Sequence, residues 1–299
     1  MRRLRLADID RLRRTPGRTA LLYVTDRCPV GCAHCSVAAR PDSPRITDYA
    51  LFAEVLGGLV HEPSLEAVAI SGGEPFAERR GLVMAVEALT AAGKDVVILS
   101  SGAWPSARWV TGVLELTSTV ILSTDTFHRA TVDLARFRRA VAQARAAGCH
   151  VIVQVLSEAP DIPGVEVNMI TPLRAGRGRD VFGATRRYGV AELGPCALTA
   201  SPTVRYDGVV TGCCNESVIT GGGPRALRRT ATTAEEVRAA LTAFRTDPLL
   251  RAMGTVQPSD LVRLAPTADA RYTDICGLCW RLHRDGDNHL ITALMRSTP

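Results

Sequence analysis

Short apolar runs alternate with longer amphipathic stretches through the first two thirds of the chain, the pattern of repeated βα units around a parallel sheet. Strands are predicted at about 20–26 (Ala-Leu-Leu-Tyr-Val-Thr-Asp), 66–71, 95–101, 118–124, 149–156 and 165–171. Helices are predicted between them near 47–61, 79–93, 106–116 and 132–148, the last with Leu134, Phe137 and Val141 at helical spacing. The link 157–164 holds two prolines and reads as a loop. After Pro172 the alternation stops. The Arg- and Gly-rich stretch Leu173 to Arg179 reads as a boundary, dividing the chain into 1–178 and 179–299. The second region offers a hairpin, Thr203 to Arg205 and Val209 to Thr211, turning at Asp207-Gly208. A Gly-Gly-Gly-Pro loop follows at 221–224, then a helix near 233–245 capped by Thr232 or Thr233. No solenoid repeat and no low-complexity tract interrupts the pattern.

Composition narrows the class without naming a chemistry. With 46% hydrophobic and 22% charged residues over 299 positions, the chain has the profile of an ordinary globular protein. No apolar run approaches the roughly 18 to 20 residues of a membrane span, and the Arg-rich start lacks a signal-peptide core, so a cytoplasmic protein with no membrane partner is expected. The formal charge of +6 is carried by scattered arginines, with Lys94 the one lysine. A solvated basic surface or an anionic ligand fits that distribution. A nucleic-acid partner is not expected, because no compact basic stripe with interleaved aromatics is present. The nine cysteines change the picture: in a reducing compartment, clustered thiols are metal or cluster ligands before they are disulfides.

Cys28, Cys32 and Cys35 stand in Cys-Pro-Val-Gly-Cys-Ala-His-Cys, directly after the first expected strand. Three thiolates on one loop can hold three corners of a cubane and leave the fourth iron open to a small chelating molecule. A structural zinc site would want a fourth ligand nearby, and His34, inside the loop, is poorly placed to complete a tetrahedron. This spacing resembles the signature of the radical S-adenosylmethionine superfamily. The resemblance implies an α/β fold, a partial (β/α)6 TIM-like barrel, with one [4Fe-4S] cluster, S-adenosylmethionine and a flavodoxin- or ferredoxin-type reductant. One βα unit later, Ser71-Gly72-Gly73-Glu74-Pro75 ends the second expected strand, which resembles the family's motif for the methionyl amino group. The two glycines would allow close backbone approach and the Glu74 carboxylate could pair with an ammonium. By the same resemblance Ser101, with its neighbour Ser100, Ser123, Asp125 and Gln154 would contact the cofactor's ribose and carboxylate; capping or backbone hydrogen bonding is the other reading. His128 could reach a substrate or serve at a helix start.

Of the remaining cysteines, Cys149 reads as buried core. Cys196, one of Cys213 and Cys214, Cys276 and Cys279 give one ligand before the hairpin, one after it and a Cys-x-x-Cys near the C-terminus. This resembles the auxiliary-cluster domain called SPASM in its shortened form, Twitch. The resemblance implies a small C-terminal α+β domain and a second [4Fe-4S] cluster, with structural zinc at the same thiols as the alternative. One cysteine of the adjacent pair is left over, expected near the mouth of the barrel. It is either an inert core residue or a hydrogen donor to a carbon radical. In the related pattern Asp-Gly-x-Val-x-x-Cys the last residue is a ligand, which implies Cys213 as ligand and Cys214 as donor, with the reverse still open. The resemblance extends to radical epimerases of natural products, acting on ribosomal peptides, neomycin or avilamycin. About 19 residues precede the first expected strand, too few for a leader-binding domain, so a saccharide or other small natural product is preferred to a peptide. A dehydrogenase, a peptide epimerase or crosslinking enzyme, and a non-catalytic iron-sulfur protein are the alternatives.

Overall fold

A computed structural model of the chain describes residues 2–183, 186–262 and 270–285; the end of the second expected region, 286–299, lies outside the described residues. Six parallel strands come first: β1 (Thr19–Tyr23), β2 (Ala67–Ser71), β3 (Asp95–Ser100), β4 (Thr119–Ser123), β5 (His150–Val155) and β6 (Glu166–Met169). Each lies inside or within a residue of its expected range. The helices between them also form as the pattern requires, at Tyr49–Val60, Arg79–Ala91, Arg108–Glu115 and Leu134–Ala146. The first and last of these start at short acidic side chains. Asp48 accepts from the amides of Ala50 and Leu51, both at 2.9 Å, and Asp133 from that of Arg136 at 2.7 Å. The link between β5 and β6 carries no helix, in keeping with its prolines.

The chain after residue 178 continues the same sheet. β7 (Thr203–Arg205) pairs in parallel with β1, and β8 (Val209–Thr211) and β9 (Arg228–Thr230) follow antiparallel. The full strand order is β6-β5-β4-β3-β2-β1-β7-β8-β9. This is a mixed α/β fold whose six parallel strands make a partial TIM-like barrel. The expected hairpin turns at Gly208, whose amide donates to the Arg205 carbonyl and whose φ of 81° suits glycine.

Alternation sorts the strand residues onto two faces. Val68, Ile70, Val96, Ile98, Val120, Leu122, Val151 and Val153 point outward into the main core beneath the helices. Ala67, Val97, Ile121 and Ile152 point inward, where Leu4, Ile9 and Leu12 meet them. The helix Leu6–Arg14, which the sequence pattern did not anticipate, therefore fills the inner face at the start of the strands. A second unanticipated set, the helices Pro248–Thr255 and Ile275–Asp285, builds a smaller core of Leu249, Met253, Leu261, Leu278 and Leu282 around Cys279. Among the described residues no helix is long and apolar enough to cross a membrane.

The expected helix after residue 233 forms at Ala234–Thr246, with Thr233 and Glu236 in a reciprocal cap. It packs on Tyr49–Val60 so closely that a Cβ at Gly58 would lie 2.5 Å from the Val237 Cβ. Gly58→Val should therefore cost about 1–3 kcal/mol through overpacking. Urea denaturation read by circular dichroism would measure it; an unchanged midpoint would show that this helix pair is not tightly seated.

Candidate functional site

The loop between β1 and the helix Tyr49–Val60 carries Cys28, Cys32 and Cys35 at the C-terminal end of the parallel strands, all three partly buried. Burial pushes the Cys28 thiol up and that of Cys32 up to about 12, so ligand binding there must displace protons. The loop has no helix of its own; a bridge between Arg27 and Arg40 closes it locally, and further bonds hold it from outside. Cys28 N donates to the Arg40 carbonyl at 2.9 Å, and Gly73 N and Glu74 N donate to the Thr25 and Arg27 carbonyls at 2.6 and 2.9 Å. A Cβ at Gly73 would collide with the Arg27 carbonyl, and one at Gly72 with that of Thr25. The close approach required of these glycines is thus to the cysteine loop itself.

Glu74 is 1% exposed and its carboxylate is already bonded within the chain. Ser100 Oγ donates to one oxygen at 2.7 Å, while Ser101 N and Oγ donate to the other at 3.0 and 2.6 Å. The Phe76 amide adds a cap to the short turn that begins at Pro75. The motif after β2 is thereby tied to the end of β3. Farther along, Ser123, Gln154 and Asn168 sit in register across β4, β5 and β6, with Asn168 donating to Gln154 at 3.1 Å. Their strand positions put them on the inner face, directly beside the cysteine loop's end of the barrel.

Asp125 caps the turn Thr126–Arg129 through the amides of Phe127 and His128, at 2.8 and 2.9 Å. Its other oxygen meets His128 Nδ1 at 2.9 Å and His34 Nε2 at 3.3 Å. Burial alone would raise this carboxyl, but the hydrogen bonds from His128 and His34 outweigh it and hold it well below the usual range. His34 also stacks on Phe127 with 4.6 Å between ring centroids. His128 lies in the first turn of this short helix and faces the carboxylate that caps it.

The second set of thiols gathers Cys196, Cys213, Cys276 and Cys279. Burial, then Cys213 and Cys196, push the Cys279 thiol up; burial, then Asp274, Cys196, Cys213 and Cys279, do the same at Cys276. Burial drives Cys213 up to about 12. Leu198 N and Asn215 Nδ2 each donate to a sulfur, those of Cys196 and Cys276, at 3.4 Å. Cys214 is turned elsewhere: Arg13 Nη2, from the inner-face helix, approaches its sulfur at 3.7 Å. Burial raises the Cys214 thiol against the opposing pull of Arg13. Among the described residues no three cysteine sulfurs lie within 4.8 Å of one another.

The spare thiol was expected beside the auxiliary thiols, near the mouth of the barrel, and its position along the barrel is corrected by the strand pairing. Because β8 runs antiparallel, Thr211 lies level with Thr203 and Leu21, and Cys213 and Cys214 continue toward the start of β1. They belong to the opposite end. Cys149 is buried just before β5, its sulfur donating to the Leu114 carbonyl.

Several residues at the first site escaped the sequence reading. Arg205 is buried and bonds Asp26, just before Cys28, at 2.9 Å, and Tyr206 donates to the same carboxylate at 2.7 Å. Arg177, in the stretch read only as a boundary, donates to the Cys32 carbonyl from Nε and Nη2 at 3.0 and 2.6 Å. Its glycine neighbours, Gly176 and Gly178, were the available sign of a close backbone approach.

The sequence model of the radical SAM superfamily matches residues 22–171. The chain belongs to the radical SAM superfamily. Membership implies a [4Fe-4S] cluster and S-adenosylmethionine, and three thiols on one loop without a fourth suit a cluster with an open iron. No curated protein matches the sequence. Solved structures share the radical SAM fold: BtrN in complex with S-adenosylmethionine and 2-DOIA superposes at a TM-score of 0.53, with 16% identity over 81% of this chain and 87% of that one. SuiB of Streptococcus suis bound to S-adenosylmethionine gives 0.51, 12%, 83% and 70%. The anSMEcpe structure with bound S-adenosylmethionine and Cp18Cys peptide gives 0.51, 12%, 94% and 99%. At these identities the likeness concerns the fold alone.

The close contact at Gly73 is testable. Gly73→Ala should displace the cysteine loop and at least halve the iron bound per chain after anaerobic reconstitution. Gly112→Ala, where a Cβ meets nothing within 4 Å, should leave iron content unchanged. Equal iron in both variants would show that the loop does not need this contact.

Proposed function

We propose that this radical SAM enzyme is an epimerase that inverts a carbon stereocentre in a natural product, a saccharide or glycoside in preference to a peptide. The observation that carries the reading is the different surroundings of the adjacent thiols: Cys213 lies among Cys196, Cys276 and Cys279, whereas Cys214, although also near Cys196, has Arg13 Nη2 3.7 Å from its sulfur. Cys28, Cys32 and Cys35 hold the first [4Fe-4S] cluster in this reading, and Cys196, Cys213, Cys276 and Cys279 a second. When bound, the first cluster and S-adenosylmethionine supply a 5′-deoxyadenosyl radical.

The protein's own contribution is orientation and hydrogen return. The backbone of Gly72, Gly73 and Glu74, with Ser101, Ser123, Asp125 and Gln154, forms the inner surface on which the cofactor is held. Cys214 lies beside the helix Leu6–Arg14 at the start of the strands, so this reading requires that helix to yield before the Cys214 sulfur reaches a substrate carbon held beside the cofactor. Transfer of a hydrogen atom from one face of the carbon to the 5′-deoxyadenosyl radical, giving 5′-deoxyadenosine, and gain of one from the Cys214 S–H on the opposite face would leave substrate mass unchanged and the carbon inverted. The sulfur is left as a thiyl radical. One electron from a flavodoxin- or ferredoxin-type reductant and one solvent proton restore the thiol. The likeness to BtrN, solved in complex with S-adenosylmethionine and 2-DOIA, supports a substrate other than a peptide. SuiB bound to its precursor peptide SuiA and anSMEcpe bound to a peptide keep a peptide substrate as the second reading.

In deuterated water, one deuterium should appear at the inverted carbon, because the thiol exchanges with solvent before it donates. Cys214→Ala should still form 5′-deoxyadenosine yet return no inverted product, whereas Cys213→Ala should lose roughly half the iron. A product two mass units lighter would show a dehydrogenase instead. Inverted product from Cys214→Ala at the native rate would remove the thiol from the reaction.

A further inference from the structure

Arg177 reaches the cysteine loop from the segment after β6, and its backbone joins the contact: Arg177 N donates to the Cys35 carbonyl at 3.0 Å. Its side chain donates twice to the Cys32 carbonyl, and Nη2 also reaches the Ala39 carbonyl at 3.0 Å. One residue thus grips the main chain at two of the three loop cysteines. A guanidinium is planar, so fixing Nε and Nη2 fixes the direction of the remaining nitrogen as well. That nitrogen, Nη1, is buried and has no hydrogen-bond partner among the described residues. Native structures rarely leave a buried charged donor unpaired, because its desolvation is then uncompensated.

The missing acceptor has an available chemistry. The thiols of Cys28, Cys32 and Cys35 suit an iron-sulfur cluster, whose sulfurs accept hydrogen bonds, and donors to those sulfurs raise the reduction potential. We propose that Arg177 is a positioning residue of this centre: Nε and Nη2 hold the loop at Cys32, and Nη1–H is donated to a sulfur of the cluster. This rests on the assignment of Cys28, Cys32 and Cys35 as the cluster's ligands. The bond stabilises the reduced cluster, so its loss makes reduction harder without removing any ligand.

The test is a redox titration of the reconstituted full-length protein, following by electron paramagnetic resonance the reduced-cluster signal that S-adenosylmethionine perturbs. Arg177→Gln should lower the reduced-to-oxidised ratio at a fixed poise by roughly tenfold, about 59 mV for one electron. Arg177→Lys should shift in the same direction, because an ammonium keeps the charge but not the fork. A native midpoint in either variant overturns the proposal. Should Arg177→Gln fail to hold iron, native protein labelled with 15N-arginine decides: a nitrogen coupling to the reduced cluster supports the bond, and no coupling overturns it. Persistence of the same signal after Cys28, Cys32 and Cys35 are all replaced by alanine would overturn the ligand assignment itself, and the proposal with it.

Discussion

Everything at the C-terminal end of the sheet depends on holding an irregular loop by its backbone. Residues 24–48 contain no helix and no strand, yet three thiols within them must keep fixed relative positions. Backbone carbonyls left bare in a buried loop are costly, so each must find a donor, and the donors come from elements distant in sequence. Gly73 and Glu74 supply two, Arg177 supplies several, and Asp26 is bonded to Arg205 and Tyr206. Because the partners sit on β2, after β6 and on β7, the loop is defined only when the sheet has closed around it. Sheet formation and thiol placement are therefore one event.

The direction of the strands separates the two sets of thiols. Parallel strands place the first cysteine loop after β1 at one end; the antiparallel return of β8 carries Cys213 and Cys214 to the other. Five-residue strands rise about 3.3 Å per residue, so the ends are roughly 17 Å apart. Between them the inner face changes character. At the start of the strands it is apolar and covered by Leu4, Ile9 and Leu12, whereas toward the cysteine loop Ser123, Gln154 and Asn168 make it polar. An apolar floor needs no ligand to be stable, because the helix Leu6–Arg14 already covers it. A row of side-chain amides and hydroxyls, by contrast, gains from a polar molecule.

Much of this was legible in the chain, for reasons that differ from residue to residue. Strands buried on both faces read as continuous apolar runs, and their helices carry local caps such as Asp48, Asp133 and Thr233, so both kinds of element announce themselves locally. The cysteine loop and the Gly-Gly-Glu-Pro turn were visible because spacing within a few residues carries their chemistry. Arg177 and Arg205 were not, since an arginine that bonds a loop more than a hundred residues away has no local mark. The helix Ile275–Asp285 was missed for a similar reason: its Cys-x-x-Cys was legible as a ligand pair, but its helical face is defined by the small core it joins. The end of the barrel that receives Cys214 follows from the antiparallel pairing of β8, which spacing along the sequence does not specify.

The hairpin β7–β8 links the two ends more tightly than its length suggests. β7 has three residues, yet its C-terminal residue, Arg205, is 2.9 Å from Asp26 in the first cysteine loop. At its other end Thr203 is paired with Thr211, whose hydroxyl donates to the Cys213 carbonyl at 2.7 Å. A single short strand therefore touches the anchors of both thiol sets. Arg205 is buried between Asp26 and Asp207, and removing one partner of such a pair leaves an uncompensated charge, so the connection resists loosening. Backbone pairing with β1 along the whole of β7 adds a second restraint that no rotation of the arginine can relax. With both restraints in place the hairpin is not free to drift relative to the barrel, and the distance from Asp26 to Cys213 is set by the pleat of one sheet.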